Sequence, residues 1–205
     1  FRYIKDDDIS YEKKQKQYEE LKQNKSLDIN HQLSEFSPKL YKMFLNIQTY
    51  IDKGEVKGKV LVYSEFRGDG GIEALEQVLL INGYSKYDPT LPPTNSLKYT
   101  FITGKEGSET RRINMDAFNH THNKYGGQIQ IMIISGAGAE GISLTCVRQV
   151  HILEPFWNYV RIDQVLGRAI RMKSHVDLPK EDRNVEHYLY LSVLPQGLNL
   201  ESVYQ

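Results

Sequence analysis

Apolar positions along the chain fall into short continuous runs that alternate with stretches in which apolar residues recur every three or four positions. The short runs, rich in β-branched and aromatic residues, are KVLVYS, LKYTFI, QIQIMII, VRQVHIL and HYLYLSV. Such runs are typical of buried strands, and the stretches between them are typical of amphipathic helices. Their alternation predicts an α/β fold, with a mainly parallel central sheet covered by helices on both faces.

The helical stretches carry signals for where they begin and end. Ser37 suits an N-cap and Pro38 the first turn of a helix. Apolar residues then repeat at helical spacing, at Leu40, Phe44, Ile47 and Ile51. A second helix, EALEQVLLING, is closed by Gly83, and a third extends from about Glu109 to Phe118. The proline-rich segment SKYDPTLPPTNS predicts a loop.

The first part of the chain has a different composition. Residues 1–30 are charged and poor in core residues, so we expect a charged helical arm or linker there, with a helix around Tyr11 to Gln23. The globular domain is expected over residues 31–205. Because the chain begins with phenylalanine rather than methionine, we expect it to be a piece of a longer protein.

Composition narrows the possible partners. The 26 basic and 26 acidic residues balance, so nucleic-acid binding would have to come from a local patch. The single cysteine, Cys146, excludes intrachain disulfides and thiolate metal clusters and fits a reducing, intracellular compartment. His120 and His122 have no third ligand nearby, so no metal site is expected. No apolar run approaches the roughly 20 residues of a membrane span and no signal peptide is visible, so no membrane partner is expected.

The ends of the predicted strands are the places to look for a ligand site. In parallel sheets ligands bind at the carboxyl ends of the strands. These ends are Ser64 to Arg67, Thr103 to Lys105 and Ser135 to Gly138. The last of them begins the glycine-rich segment SGAGAEG, whose backbone amides could approach a phosphate or a ribose closely.

The helix predicted for NYVRIDQVLGRAIR has an unusual polar face. Gln164, Arg168 and Arg171 fall within roughly 60° of one another, at about 100° per residue. The opposite side carries the apolar residues Ile162, Val165, Leu166, Ala169 and Ile170. No carboxylate on the polar face neutralises the arginines, and arginine forks suit phosphate oxygens. The alternative is an ordinary solvated helix face.

One segment could be mistaken for a phosphate-binding loop. A Walker A loop requires GxxxxGK followed at once by Ser or Thr. In TGKEGSET, Glu106 follows Lys105, and Tyr99 stands where the first glycine should be. No other Walker A loop and no DExx-type acidic motif is present in the sequence, so the chain is expected to lack half of a catalytic site.

Four segments together resemble motifs of the superfamily-two helicases. QVLGRAIR has the pattern QxxGRxxR of motif VI, IISGAGAEGISL resembles motif V, and KVLVYSEFR is similar to motif IV. FITGKEGSETRRINMDAFN resembles the intervening segment, in which a strand ends in glycine and a later arginine precedes Phe-Asn. The order and spacing agree from about Ser37 to Val193. The continuation RMKSH and LPKEDRNVEHYLYL is most similar to helicases and nucleoside-triphosphatase transcription factors of large DNA viruses.

This resemblance implies the second RecA-like lobe of a two-lobe motor, a three-layer α/β sandwich. In such motors the first lobe holds the Walker A loop and the magnesium-binding acidic motif, and the second lobe donates arginines. The implied cofactor is ATP with Mg²⁺, whose ligands are expected on the first lobe. Gly167 stands where remodelling ATPases often have aspartate, which favours the helicase-like and viral branches.

The resemblance also implies roles for individual residues. Arg171 would be the arginine finger, Arg168 would reach the phosphates, and Gln164 would orient this cluster or hydrogen-bond the nucleotide or the attacking water. The residues implied to lie near the nucleotide ribose are Gly138, Glu140 and Gly141. The residues implied to line the nucleic-acid backbone surface are Arg67, Thr103, Gly104 and Ser135.

We therefore expect the C-terminal lobe of an ATP-dependent nucleic-acid helicase or translocase, inactive without its first lobe. The alternative is the nucleic-acid-binding lobe of a viral transcription-factor ATPase that acts in initiation or termination without unwinding. Both need motifs V and VI, so both stay open at this point. Expected partners are the N-terminal RecA-like lobe, DNA or RNA, and viral transcription machinery. The expected location is the host cytoplasm, in a virus factory, or the virion.

Overall fold

A computed structural model describes residues 20, 23, 27–68, 70–92, 94, 96–138, 141–154 and 159–193. The helices are α1 (Leu33–Phe36), α2 (Pro38–Gln48), α3 (Ile72–Ile81), α4 (Ser108–Asn119) and α5 (Tyr159–Ala169). The strands are β1 (Ile51–Asp52), β2 (Glu55–Val56), β3 (Lys59–Tyr63), β4 (Ser85–Lys86), β5 (Lys98–Ile102), β6 (Ile131–Ile134), β7 (Val147–Ile152) and β8 (Glu186–Leu189). Two 3₁₀ turns cover Thr121–Asn123 and Lys180–Asp182.

Six strands form one sheet in the order β4-β5-β6-β3-β7-β8, and every neighbouring pair in it is parallel. Strands β1 and β2 form a separate antiparallel hairpin. Every residue of β3, β5, β6 and β7 is buried, which explains the largely apolar sequences of β3, β5 and β6, whereas β7 also buries Arg148, Gln149 and His151. The predicted parallel sheet is confirmed.

Helices cover both faces of this sheet. On one face α2 and α3 pack against the strands, for example through Phe44 and Leu75 against Val62. On the other face α4 and α5 contribute Phe118 and Val165 to a second core. Helix, sheet and helix thus form the three layers that the sequence predicts.

The predicted start of α2 is confirmed, but its predicted length is wrong. The Ser37 hydroxyl accepts a hydrogen bond from the Leu40 amide at 3.4 Å, and Pro38 is the first helical residue. The helix ends at Gln48, so Ile51 lies in β1 and not on the helix. The chain turns into the β1–β2 hairpin there, because the Tyr50 carbonyl accepts from the Lys57 amide at 2.7 Å.

The segment after α3 is mostly the predicted loop. Gly83, with φ of 86°, follows the helix, and the Tyr84 amide donates back to the Leu79 carbonyl at 3.0 Å. The loop is interrupted by β4, whose Ser85 amide donates to the Leu97 carbonyl at 2.9 Å. This short edge strand was not predicted from the sequence.

The prediction that Arg171 lies on the same helix as Gln164 and Arg168 is wrong. Helix α5 ends at Ala169, and Ile170, which we assigned to the core stripe, is 49% exposed. The chain leaves the helix through a turn in which the Ser174 amide donates to the Arg171 carbonyl at 3.0 Å. Lys173 has a positive φ of 66° in this turn, a conformation that no helix continues through.

The arm predicted for residues 1–30 lies largely outside the described residues. Glu20 and Gln23 are helical and exposed. Leu27 is buried in the core beside α2 and α3, and the Asn82 side chain donates to the Leu27 carbonyl at 2.9 Å. The last residues of the predicted arm therefore pack on the globular part, and the domain division itself stays a prediction.

Among the helices that the structure describes, none has the length and apolar character that crossing a bilayer requires.

Candidate nucleotide and nucleic-acid site

The carboxyl ends of β5, β6 and β3 lie side by side, as the sheet order dictates. The Ser135 amide, just after β6, donates to the Ile102 carbonyl at the end of β5 at 3.3 Å. The Ser64 amide, just after β3, donates to the Ile134 carbonyl at 3.1 Å. Three segments far apart in sequence therefore form one continuous surface.

The predicted backbone-binding residues meet around one carbonyl group in this surface. The Thr103 carbonyl accepts a hydrogen bond from Arg67 Nη2 and another from the Ser135 hydroxyl at 2.8 Å. Gly104 follows, exposed and with φ of 85°. The structure thus brings Arg67, Thr103, Gly104 and Ser135 together and fixes Arg67 across the end of β5.

Glu106 also belongs to this cluster, and the sequence analysis missed its role. Its carboxylate accepts from the Thr103 amide at 2.7 Å, the Thr103 hydroxyl at 2.9 Å and the Gly104 amide at 3.1 Å. Burial raises the pKa of Glu106, but these hydrogen bonds outweigh burial and hold the pKa below its ordinary value. The Glu106 carboxylate thus accepts the hydrogen bonds of both backbone amides that directly follow β5. An acidic residue just after a strand-ending Thr-Gly was the available signal.

The glycine-rich segment after β6 packs closely against the end of β5. A Cβ on Gly138 would lie 1.6 Å from the Ile102 carbonyl oxygen, so only glycine fits there. The Gly138 amide donates to the Ser135 hydroxyl at 3.3 Å. Gly141 is exposed with φ of 71°, and Glu140, the third residue predicted near the ribose, lies outside the described residues.

Two further polar residues hold the site and were not singled out as functional. Arg111 on α4 donates from Nη2 to the Gly138 carbonyl at 3.0 Å. Glu154, after β7, accepts from the Ser64 hydroxyl at 2.7 Å and lies 3.6 Å from Lys39 on α2. The later arginine of the FITGKEGSETRRINMDAFN segment was a signal for Arg111; none is apparent for Glu154.

The predicted phosphate-binding residues lie along the second half of α5 and just beyond it. Gln164 is exposed and Arg168 is half-buried. Arg171 is exposed, and its Nε donates to the Gly167 carbonyl in the last turn of the helix at 3.1 Å. No carboxylate among the described residues lies within ion-pairing distance of Arg168 or Arg171.

Backbone hydrogen bonds join the end of α5 to the segment that follows the glycine loop. The Leu144 amide donates to the Arg168 carbonyl at 3.1 Å, and the Cys146 amide donates to the Ser174 carbonyl at 2.9 Å. The motif V and motif VI segments of the sequence are thus held against each other.

A cavity of about 270 Å³ lies elsewhere, beside the residues that precede β4 and β5. Its lining includes Phe44, Gln48, Asn82, Tyr84 and Leu97. Tyr84 and Leu97 directly precede β4 and β5, at the amino-terminal edge of the sheet, so this cavity is separate from the candidate site at the carboxyl ends of the strands.

Comparison with known proteins identifies the family. A model of the helicase conserved C-terminal domain matches residues 41–173, which is more than half of the chain. The chain belongs to this helicase C-terminal domain family. The matched range contains every predicted site residue from Arg67 to Arg171.

Relatives of this domain come from large DNA viruses. The chain is 34% identical over 195 residues to the termination factor NPH-I homolog of African swine fever virus, covering 79% of this chain and 27% of the relative. It is 31% identical over 163 residues to a protein of Acanthamoeba polyphaga mimivirus that carries the name of an ATP-dependent RNA helicase, covering 80% of this chain and 27% of the relative. The resemblance to viral helicases and nucleoside triphosphatases is confirmed.

A solved structure supports the fold. The C-terminal part of the Fun30 ATPase domain superposes with a TM-score of 0.51 and 24% identity, covering 73% of this chain and 39% of that one. The RecA-like fold is confirmed. The chain spans about a quarter of the length of the two viral relatives named above.

Proposed function

We propose that this helicase C-terminal domain is the second lobe of an ATP-dependent nucleic-acid helicase or translocase. In this proposal Arg171 is the arginine finger, Arg168 contacts the phosphates and Gln164 orients them. Gly138, Glu140 and Gly141 lie beside the ribose. Viral relatives named for helicase and termination activity support the proposal.

The observation that carries the proposal is the state of the two arginines. They lie at the end of α5 without a carboxylate partner among the described residues, and Arg171 is exposed with its Nε bonded only to a helix carbonyl. A guanidinium that has no carboxylate partner among the described residues of its own lobe suits a phosphate brought by another lobe, because its planar fork matches phosphate oxygens. The residues present therefore fit a nucleotide phosphate.

The chemistry expected of this lobe is electrostatic. Bound ATP supplies the phosphoryl group, with Mg²⁺ held by the first lobe. Arg171 would neutralise negative charge that develops on the phosphoryl oxygens during transfer. The hydrogen bonds that tie Leu144 to Arg168 would pass changes at the phosphates to the glycine loop.

The strand-end surface is proposed as the nucleic-acid track. Arg67 supplies a positive charge there, and Thr103, Gly104 and Ser135 supply small polar groups at the ends of β5 and β6. The Glu106 carboxylate occupies the amides of Thr103 and Gly104. We expect backbone phosphates to compete with Glu106 for these donors.

The proposed partners follow from the proposed role as the second lobe of a nucleic-acid motor. They are the N-terminal RecA-like lobe of the same protein, the backbone of DNA or RNA, and viral transcription machinery. The proposed location is the host cytoplasm, in a virus factory, or the virion.

The first test is whether the catalytic site is split between lobes. A two-lobe protein that contains this chain should hydrolyse ATP, whereas residues 1–205 alone should show no turnover, because the chain has no Walker A lysine and no magnesium-binding carboxylate motif. Steady-state ATPase assays on both proteins check this. Robust hydrolysis by residues 1–205 that Arg171→Ala abolishes would exclude contamination and overturn the split-site proposal.

The second test concerns the track. Binding of the two-lobe protein to unrelated oligonucleotides should be similar in affinity and should weaken steeply with salt, since phosphate contacts release counterions. Fluorescence polarisation at several salt concentrations measures both properties. Strong preference for one sequence, or affinity independent of salt, contradicts the track. A duplex-unwinding assay on the same protein distinguishes a helicase from a transcription-factor ATPase.

A further inference from the structure

The backbone of Arg171 is held in a turn beyond helix α5, while its Nε donates to the Gly167 carbonyl of that helix. The Arg171 amide donates to the Ser174 hydroxyl at 3.3 Å, and the Ser174 amide donates to the Arg171 carbonyl at 3.0 Å. These two hydrogen bonds link the same two residues in opposite directions. They close the turn although Lys173, within it, has a positive φ of 66° that L-residues rarely adopt.

Ser174 is in turn anchored to the central sheet through its neighbour. The Ser174 hydroxyl lies 2.7 Å from His175 Nδ1, and His175 Nε2 lies 2.6 Å from the Val147 carbonyl at the start of β7. Both side chains are buried. The Ser174 carbonyl also accepts from the Cys146 amide at 2.9 Å, which makes a second link to the same strand.

The donors and acceptors in this chain of hydrogen bonds are consistent. A backbone carbonyl only accepts, so His175 Nε2 donates to Val147, and Nδ1 is an acceptor in the tautomer that carries its single proton on Nε2. The Ser174 hydroxyl then donates to Nδ1, and its oxygen remains available to the Arg171 amide. The Ser174 oxygen also lies 3.4 Å from the Ala169 carbonyl at the end of α5, so this hydroxyl connects His175, the end of α5 and the Arg171 amide.

We propose that Ser174 and His175 are positioning residues, which hold the backbone of Arg171 so that its guanidinium can be presented to a nucleotide. The proposal rests on the proposed role of Arg171 as the finger. Arg168, in contrast, lies within helix α5, and its carbonyl accepts from the Leu144 amide. The two arginines are therefore positioned by different parts of the structure, and only Arg171 depends on Ser174.

The test measures ATP turnover by the two-lobe protein. Ser174→Ala should lower kcat on the order of tenfold or more, because small displacements of a catalytic group are costly, while KM for ATP changes less than about twofold. Ser174→Thr keeps the hydroxyl and should restore most of kcat. His175→Gln keeps a donor for the Val147 carbonyl but has no acceptor at the position of Nδ1, and its kcat should lie between those of the two serine variants. Ser34→Ala, at an exposed serine on α1, is the matched control.

A double-mutant cycle then identifies the residue through which Ser174 acts. In an Arg171→Ala background, Ser174→Ala should cause no further loss of kcat. An equal further loss would show that Ser174 acts elsewhere and would overturn the proposal. So would a Ser174→Ala variant that has a lower melting temperature but normal kcat, since that is the result of a purely structural role.

The same measurements separate this proposal from the proposed function. If Arg171→Ala collapses turnover and Ser174→Ala does not, only the positioning role fails. If Arg171→Ala turns over normally, the finger itself is absent and both fail.

Discussion

The two polar regions of the candidate site use their hydrogen-bonding groups in opposite ways. At the ends of β5 and β6, Arg67, Thr103, Ser135 and Glu106 bond to one another. At the end of α5, Arg168 and Arg171 have no carboxylate partner among the described residues. The polar groups of the first region are hydrogen-bonded within this lobe, whereas the two arginines of the second region have no carboxylate there among the described residues.

This difference indicates where the lobe needs a partner. A buried or half-buried polar group is costly unless it is hydrogen-bonded, so a region that satisfies its own groups is rigid before any ligand binds. The exposed guanidinium of Arg171 carries no such constraint, since water solvates it until a phosphate binds. We therefore expect substitutions at the arginines to affect catalysis and substitutions in the strand-end cluster to affect folding and nucleic-acid affinity.

The largest expected effect is at Arg171. In the two-lobe protein, Arg171→Ala should lower kcat by about 10³-fold or more, roughly 4 kcal/mol of barrier, with a much smaller change in ATP affinity. Arg171→Lys should rescue poorly, because an ammonium cannot reproduce the planar fork. Parallel measurements of ATPase rate and nucleotide affinity check both statements.

The control for Arg171 is stability. The side chain is exposed and donates to one helix carbonyl, so Arg171→Ala should cost less than about 1 kcal/mol of unfolding free energy. Near-normal turnover in this variant would mean that the open arginines are only a solvated surface, and the contrast between the two regions would lose its functional meaning.

The next largest effect is expected in the closed region, at Gly138. A Cβ there would overlap the Ile102 carbonyl oxygen, so Gly138→Ala should destabilise the fold by about 1–3 kcal/mol or more. Denaturant unfolding measures this loss. Gly127→Ala, at an exposed glycine with no atom near the added Cβ, should change stability little. Equal stability of the two variants would contradict the close packing of the glycine loop on β5.

A third polar cluster, satisfied within the chain like the strand-end region, predicts a dependence of stability on pH. His151 on β7 is stacked on Tyr188, with Nδ1 2.7 Å from the Tyr190 hydroxyl and Nε2 3.2 Å from Gln149 Oε1. Burial lowers the pKa of His151 to about 3. The folded state thus favours the neutral ring, and the unfolded chain takes up the proton first.

Stability from His151 is therefore fully present above its ordinary pKa of about 6.5 and is lost as the pH falls toward 3. Between pH 7 and 5.5 the free energy of unfolding should drop by about 1 kcal/mol from this group. His151→Gln should remove that part of the pH dependence, whereas His187→Gln, at an exposed histidine on β8, should not. Unfolding curves at the two pH values decide, and an unchanged pH dependence in His151→Gln would refute the assignment.

The smallest effect is expected at Glu106. If phosphates compete with its carboxylate for the Thr103 and Gly104 amides, Glu106→Gln should raise nucleic-acid affinity about two- to fivefold and steepen its salt dependence. Glu109→Gln removes the same charge from an exposed position on α4 and serves as the control. Polarisation titrations compare the two. Equal gains in affinity for Glu106→Gln and Glu109→Gln would mean that only the net charge matters. A reduced affinity of Glu106→Gln would show that the carboxylate holds the nucleic-acid surface in its binding conformation.

Much of the fold could be predicted from local patterns, because the positions that are buried in a helix or strand carry apolar residues at regular spacing. The central strands are buried on both sides and are therefore continuous apolar runs, and the Ser37–Pro38 signal marks the start of α2. The pattern failed where a repeat continued by chance. Ile51 follows the spacing of α2 but lies in β1, and the arginine repeat continues past the end of α5.

The sequence by itself determined the five strands β3, β5, β6, β7 and β8, most of the helices, and the residue types of the candidate site, since these depend on periodicity and on side-chain chemistry. Only the tertiary structure decided which polar groups meet. The order β5-β6-β3 brings Arg67, Thr103 and Ser135 together across long stretches of chain. Likewise, only the tertiary structure shows that Arg171 lies in a turn beyond α5. His175 is hydrogen-bonded there to Val147 at the start of β7, and Ser174 is hydrogen-bonded to Cys146, the residue before it. Contacts of this kind depend on how distant elements pack, and no local pattern records them.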